Sequence, residues 1–239
     1  MIISTKAIVL RRIKYSDSSL IVDVFTEFEG RKSFFLKGIL SKTKTKLKNS
    51  HFQPLSQILI KYNKREKKKI NFLIDCKVHN HCQNLYLDCR KSSIILFLNE
   101  ILNMCILEEA CNKELFSFLE NSLNWLDNND KISNFHIMFI LELLKYLGIN
   151  PNLKSSNSKF LSFENGSFED EKPSGLNARG GSVKVIISLL GMNFDNCFLV
   201  KVSQLQKHEI LKILLEYIEY HVQGFKQPKS LHVLHQVFE

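Results

Sequence analysis

The spacing of apolar residues changes once along this chain, near residue 80. That change limits the fold to a β-rich N-terminal part followed by a helical one. Before it, β-branched and aromatic runs alternate with turn residues. Residues 2–13 (IISTKAIVLRRI), 19–26 (SLIVDVFT), 31–37 (RKSFFLK), 52–62 (FQPLSQILIKY) and 70–78 (INFLIDCKV) each read as a strand. Glu29-Gly30 makes a tight turn, Gly38 ends the third strand, and Pro54 is tolerated near a strand start or on an edge. Five short strands joined by tight turns predict a small barrel of the OB type. Tyr15 to Ser18 is then the loop between strands one and two, and Asn63 to Lys69 the loop between strands four and five. Those loops grip ligand in this architecture.

After residue 82 the apolar residues recur at three and four. Ile94, Phe97, Leu98, Ile101 and Leu102 define one helix, and Leu115, Phe118, Leu119, Leu123 and Leu126 a second. Residues 132–147 are apolar almost all round, which implies deep burial, and stop at Gly148 with Pro151 beyond. Residues 150–182 are rich in Ser, Asn and Gly and read as a loop or small hairpin. A short helix follows over 183–190. Ser203 opens an amphipathic helix to about Gly224, and residues 228–238 read as a docked or mobile tail. The expected fold class is mixed α+β: an OB-fold barrel over residues 1–80, then an α-helical domain over 81–239 with an insertion at about 150–182.

Charge is informative once it is divided. The net charge is +9, but residues 31–69 hold thirteen Lys or Arg against one acid, Glu66. Residues 1–30 are neutral and residues 70–239 carry −3. A basic run is often only a solvated face. A local +12 on an otherwise near-neutral chain points instead to a polyanion partner. On the third strand the period of two puts Arg31, Ser33, Phe35 and Lys37 on one side and Lys32, Phe34 and Leu36 on the other. Two cations interleaved with a ring suit single-strand binding, with Phe35 stacking on a base or, alternatively, filling the core. Lys42, Lys44, Lys46 and Lys48 alternate with small residues, so an extended loop would align four ammonium groups at a spacing close to the phosphate repeat. Lys64, Arg65, Lys67, Lys68 and Lys69 form a second cluster. Lysines of this kind give affinity without base readout.

Other chemistries are poorly served. No phosphate-loop, nucleophile-elbow or metalloprotease motif occurs, so the chain is not expected to be an enzyme. Cys76, His79, His81, Cys82 and Cys89 lie close together, but their spacing matches no zinc finger. Cys105, Cys111 and Cys197 read as isolated buried thiols. No apolar run approaches a membrane span, and the N-terminal stretch has no small-residue cleavage site. A reduced, cytoplasmic and nucleoid-associated protein is expected.

Three elements together resemble the RecO family of DNA repair and recombination mediators. They are Tyr15 to Arg31 (YSDSSLIVDVFTEFEGR), Lys37-Gly38 followed by Ser41-Lys42-Thr43-Lys44, and Phe52-Gln53-Pro54-Leu55. A looser match is the helix ending Leu147-Gly148-Ile149-Asn150-Pro151. The resemblance implies binding of single- and double-stranded DNA and annealing of complementary strands. It also implies contact with the acidic tail of single-stranded DNA-binding protein and, with RecR, help in loading RecA. It carries DNA contact onto Arg31, Lys37, Lys42 and Lys44. The tail would need an apolar pocket rimmed by cations, for which the Ser203 helix offers Lys207 and Lys212 around Leu211. The family often bears a cysteine zinc element after the LGxxP helix. No cysteine lies between Pro151 and Gly181 here, so zinc and other cofactors are not expected. An OB-type RNA binder or a scaffold in another nucleoprotein complex is the alternative.

Overall fold

The structure is a computed structural model, and it describes residues 1–41, 47–64, 70–107 and 110–238. Five strands close into a barrel: β1 (Ile2–Lys14), β2 (Leu20–Thr26), β3 (Gly30–Leu36), β4 (Gln57–Asn63) and β5 (Ile70–Val78). Their order around it is β1-β2-β3-β5-β4, with β4 returning to β1. All pairings are antiparallel except β3 with β5. This is the OB-fold expected. Alternation supplies the core, because Val22, Val24, Phe34, Leu36, Ile58 and Ile60 all point inward and are buried. The fourth strand begins later than its apolar run suggests. Residues 49–52 form a 3-10 turn whose Phe52 packs into the barrel core, and Leu55 takes φ +58 before β4 starts at Gln57.

The barrel's outer side is partly covered by three helices, α1 (Asn84–Leu87), α2 (Cys89–Cys105) and α3 (Lys113–Asn128). Asp88 caps α2 by accepting from the amides of Arg90 and Lys91. Ile8 and Leu10, outside the barrel core, are fully buried, and the rings of Phe25 and Phe116 lie 6.0 Å apart. Barrel and helices therefore make one compact unit, residues 1–128, and residues 129–239 make the other. The compact unit runs past residue 80 because α2 and α3 bury their apolar stripes against β1 and β2.

In the second unit, α4 (Phe135–Tyr146) is buried on nearly every side. Its end is a Schellman turn: Gly148 takes φ +72, its amide donates to Lys145, and the Ile149 amide donates to Leu144. The Ser- and Asn-rich segment that follows is a small sheet in the order β6-β8-β7-β9: β6 (Asn152–Leu153), β7 (Phe160–Ser162), β8 (Ser167–Glu169) and β9 (Asn177–Arg179). Leu161, Phe163 and Phe168 are its buried apolar residues. The chain continues through α5 (Gly181–Leu189), α6 (Gln204–His221) and α7 (Leu231–Phe238). A capping box between Ser203 and Gln206 opens α6. The tail is thus helical, with Leu234 buried.

Candidate nucleic-acid interface

Residues paired across neighbouring strands point to the same side of a sheet. The registers Ile13 with Ile21, Ile21 with Phe35, and Phe35 with Phe72 therefore set four apolar side chains in one row. The row crosses β1, β2, β3 and β5 on the outside of the barrel, since Val22, Phe34 and Leu36 beside it point inward. Phe35 is half-buried by two rings that meet it edge-on, Tyr15 at 5.3 Å and Phe72 at 5.8 Å. Tyr15 is 66% exposed and Phe72 45%. Ile70 and Ile74, two residues either side of Phe72, are exposed as well. Phe35 is thus not a core residue. It is the middle of an accessible aromatic surface of the kind on which bases stack.

Cations stand around that surface. Lys37 is exposed just beyond the end of β3, and Arg11, Arg12 and Lys14 are exposed at the end of β1. Lys48 is exposed elsewhere on the same unit, beside the 3-10 turn. Lys64 is ion-paired with Glu29, whose carboxylate also accepts the Tyr62 hydroxyl. Burial raises the Glu29 pKa, but the bonds from Lys64 and Tyr62 outweigh it and hold the carboxyl below its usual range. Lys42, Lys44, Lys46, Arg65, Lys67, Lys68 and Lys69 lie outside the described residues. Tyr15 and Phe72 were not candidates from the sequence. Phe72 reaches Phe35 through a parallel pairing between distant strands, which no local pattern encodes.

Arg31 requires correction. Its guanidinium is turned to the C-terminal end of α2, donating through Nη1 to the carbonyls of Asn103 (2.9 Å) and Ile106 (2.8 Å). Through Nη2 it donates to Asn103 Oδ1 (2.7 Å) and Asp23 Oδ2 (2.9 Å). Asp23 also accepts from the Ser33 hydroxyl. Arg31 satisfies orphan carbonyls at a helix end and neutralises a buried carboxylate, so it is a strut between barrel and helix.

The partner-tail residues also require correction. Lys207, Ile210, Leu211, Leu214 and Ile218 share one stripe of α6, and all five are buried. Leu211 is 1% exposed and is core, not the floor of a pocket. Burial also drives the Lys207 pKa down. Lys212 alone is exposed, at 3.9 Å from Glu216 one turn on.

The cysteine and histidine cluster does not converge. Cys76 is in the barrel core, where burial and then Asp75 push its thiol up to about 12. His79 meets Glu120, and Cys82 donates to Asn124. Among the described residues no three His, Cys, Asp or Glu side chains could hold a metal ion. The segment from Pro151 to Gly181, where a family zinc element would fall, carries neither cysteine nor histidine, so its residues do not fit that metal. Of the isolated thiols, Cys197 is buried, but Cys105 is only half-buried and Cys111 is exposed. No helix among the described residues is long and apolar enough to cross a membrane.

The geometry has a counterpart in known proteins. The family model for the recombination protein O N-terminal domain matches residues 1–81, and that for its C-terminal domain matches residues 86–232. The chain belongs to the RecO family. Its place is therefore in DNA repair and recombination. It is 38% identical to the DNA repair protein RecO of Christiangramia forsetii over 238 residues, covering all of both chains. The RecO protein of Flavobacterium psychrophilum is 38% identical over 239 residues and that of Bacteroides fragilis 32% over 243, again with complete coverage. The family boundary at residues 81–86 falls inside the first compact unit, so α1 to α3 belong to the C-terminal family model while packing on the barrel.

Proposed function

We propose that this RecO-family chain is a non-enzymatic recombination mediator. It binds single- and double-stranded DNA, anneals complementary strands and, with RecR, helps load RecA onto DNA coated by single-stranded DNA-binding protein. The observation that carries the DNA-binding part is the aromatic surface formed by half-buried Phe35 with exposed Tyr15 and Phe72 on an OB barrel that bears exposed cations. Rings accept bases of any sequence, and lysines follow phosphates without reading bases. Annealing needs no covalent chemistry. A positive surface weakens repulsion between two strands and leaves Watson–Crick edges free to pair.

Lys37 and Lys48 are the phosphate contacts among the described residues. Lys42, Lys44, Lys46 and the cluster at 64–69 join them on charge. The tail of single-stranded DNA-binding protein is kept as a partner, with Lys212 the one named residue accessible to it. Zinc is not proposed, and elemental analysis of purified protein returning one zinc per chain would overturn that. The decisive test is annealing of complementary oligonucleotides, bare and coated with single-stranded DNA-binding protein. Acceleration of both is expected. Failure to accelerate either, or a preference for RNA in competition, would move the chain to another nucleoprotein role.

A further inference from the structure

A cleft of about 270 Å³ opens on the first compact unit, away from any residue of the aromatic row. Its walls are the 3-10 turn at 49–52, the approach to β4 and the connection from β5 to α1. Lys48, Ser50, His51, Asn80, His81 and Tyr86 are among the residues that line it. No aspartate or glutamate does. The carboxylate that the lining groups feel, Asp127, sits behind α1 with Oδ1 taken by the Leu85 amide.

The floor is fixed by polar bonds. Asn80 donates to Gln57 Oε1 at 2.7 Å, Gln57 donates to Asn124 at 2.9 Å, and the Tyr86 hydroxyl donates to the Pro54 carbonyl at 3.0 Å. Leu55, at the back, is the one non-glycine residue among those described with positive φ, although a bulky side chain seldom adopts that backbone. Fully buried, and tied by its amide to the Val9 carbonyl at 2.8 Å, it holds the bend that shapes the cleft. The walls, by contrast, carry basic side chains. His51 Nδ1 is buried and has no partner, and His81 and Lys48 are exposed at the rim. Burial first, then the charges of Lys48 and His81, hold the His51 imidazole below its ordinary pKa. Lys48, His51 and His81 thus line one recess whose lining holds no carboxylate, and an anion entering it would meet an ammonium and two imidazoles.

We infer that this cleft takes the terminal phosphate monoester of a DNA strand, held by Lys48, His51 and His81. Internal phosphates can be met by lysines on open surface. A recess with a closed floor admits a chain end, and a monoester dianion meets three basic groups better than a diester does. Lys48 is also the last residue of the lysine run in sequence. The inference rests on the DNA-binding reading and adds to it a preference for strand ends.

The test uses the full chain and three fluorescent 20-residue oligo-dT strands: 5′-phosphorylated, 3′-phosphorylated and unphosphorylated. One phosphorylated form is expected to bind roughly tenfold tighter than the unphosphorylated strand, about the value of one charge-assisted hydrogen bond. His81→Gln, at an exposed position, and His51→Gln should each erase that preference. Binding of the unphosphorylated strand should stay unchanged. Equal binding of all three strands by the unaltered chain would overturn the cleft while leaving the DNA reading intact. Absence of binding to any of them would overturn both. Imidazole signals of His51 and His81 that shift with an acidic peptide, and with neither phosphorylated strand, would give the cleft to a protein partner and overturn the proposal.

Discussion

Two side chains show how a charged or polar residue can serve the fold when its sequence context suggests otherwise. Arg31 stands in the most basic stretch of the chain, yet both its Nη atoms are committed to the end of α2 and to Asp23, with 14% of the side chain exposed. Arg31→Ala would leave Asp23 buried without its cation and two α2 carbonyls without a donor, a loss of about 3 kcal/mol in folding stability. Arg31→Lys would not rescue it, because an ammonium cannot reproduce the fork. Urea unfolding measures the loss, while the salt dependence of DNA binding by the folded protein stays unchanged. His136 is the second case. It is fully buried in α4, Nδ1 has no partner, and burial, then Lys207 and His235, lower its pKa to about 3. The folded chain therefore refuses a proton that the unfolded chain accepts at its ordinary 6.5. The neutral imidazole contributes fully above pH 6.5. That contribution shrinks as the pH falls from 6.5 towards 3, by up to about 1.4 kcal/mol per pH unit. His136→Phe should flatten this acid limb, and the midpoint of acid unfolding should move to lower pH.

At the scale of elements, what could be read in advance follows the range of the interaction that decides it. Strand parity is local, so the division of β3 into one set with Phe34 and Leu36 and another with Phe35 is legible from RKSFFLK, whereas which set faces inward shows only in the packing. The stop of α4 at Gly148 is legible for the same reason. The late start of β4 is not, because FQPL carries a strand's apolar content and only its packing shows that Phe52 enters the barrel from a turn. Strands of two or three residues, as in β6 to β9, are too short to show a period. On α6 a charged residue within an apolar stripe reads as a rim, and only the packing of the helix shows Lys207 drawn inward with Leu211. The aromatic row belongs to this scale, since it exists only where β3 pairs with β5. Phe72→Ala removes an exposed ring and no core, so the unfolding temperature should hold. Loss of one stacking partner should weaken single-strand binding by about tenfold, within the 1–3 kcal/mol typical of base–aromatic stacking. Fluorescence anisotropy with oligo-dT reads the change. Because no cation is lost, the salt slope should match that of the unaltered chain, and a flattened slope would show that Phe72 acts through misplaced lysines.

Over the whole molecule the decisive property is where the charge lies. Residues 31–69 carry +12 and the remaining 200 residues carry −3 between them, so the chain presents one cationic segment on an acidic to neutral body. The annealing role proposed for the chain needs that imbalance. Enough positive charge must gather two strands, and it must bind them loosely enough that they can pair and leave. Lysines meet both conditions, because their affinity comes mostly from counterion release and each is a compact point charge without base readout. If about six phosphates are engaged on a single strand, log K should fall with log salt at a slope near −4 to −5. Changing Lys42, Lys44, Lys46 and Lys48 to Gln should reduce the magnitude of that slope by about 3, one increment of about 0.7 for each phosphate contact removed. Changing the same four to Glu takes the segment from +12 to +4 and places like charge against the strand, and measurable binding should disappear. In both variants the thermal unfolding curve and the proposed interaction with the tail of single-stranded DNA-binding protein should be retained. A slope that stays near −4 in the Gln variant would mean that the strand is held by the cations beside the aromatic row, Arg11, Arg12, Lys14 and Lys37. The lysine run would then serve only to draw DNA in from a distance, which would appear as a slower association rate with an unchanged dissociation rate.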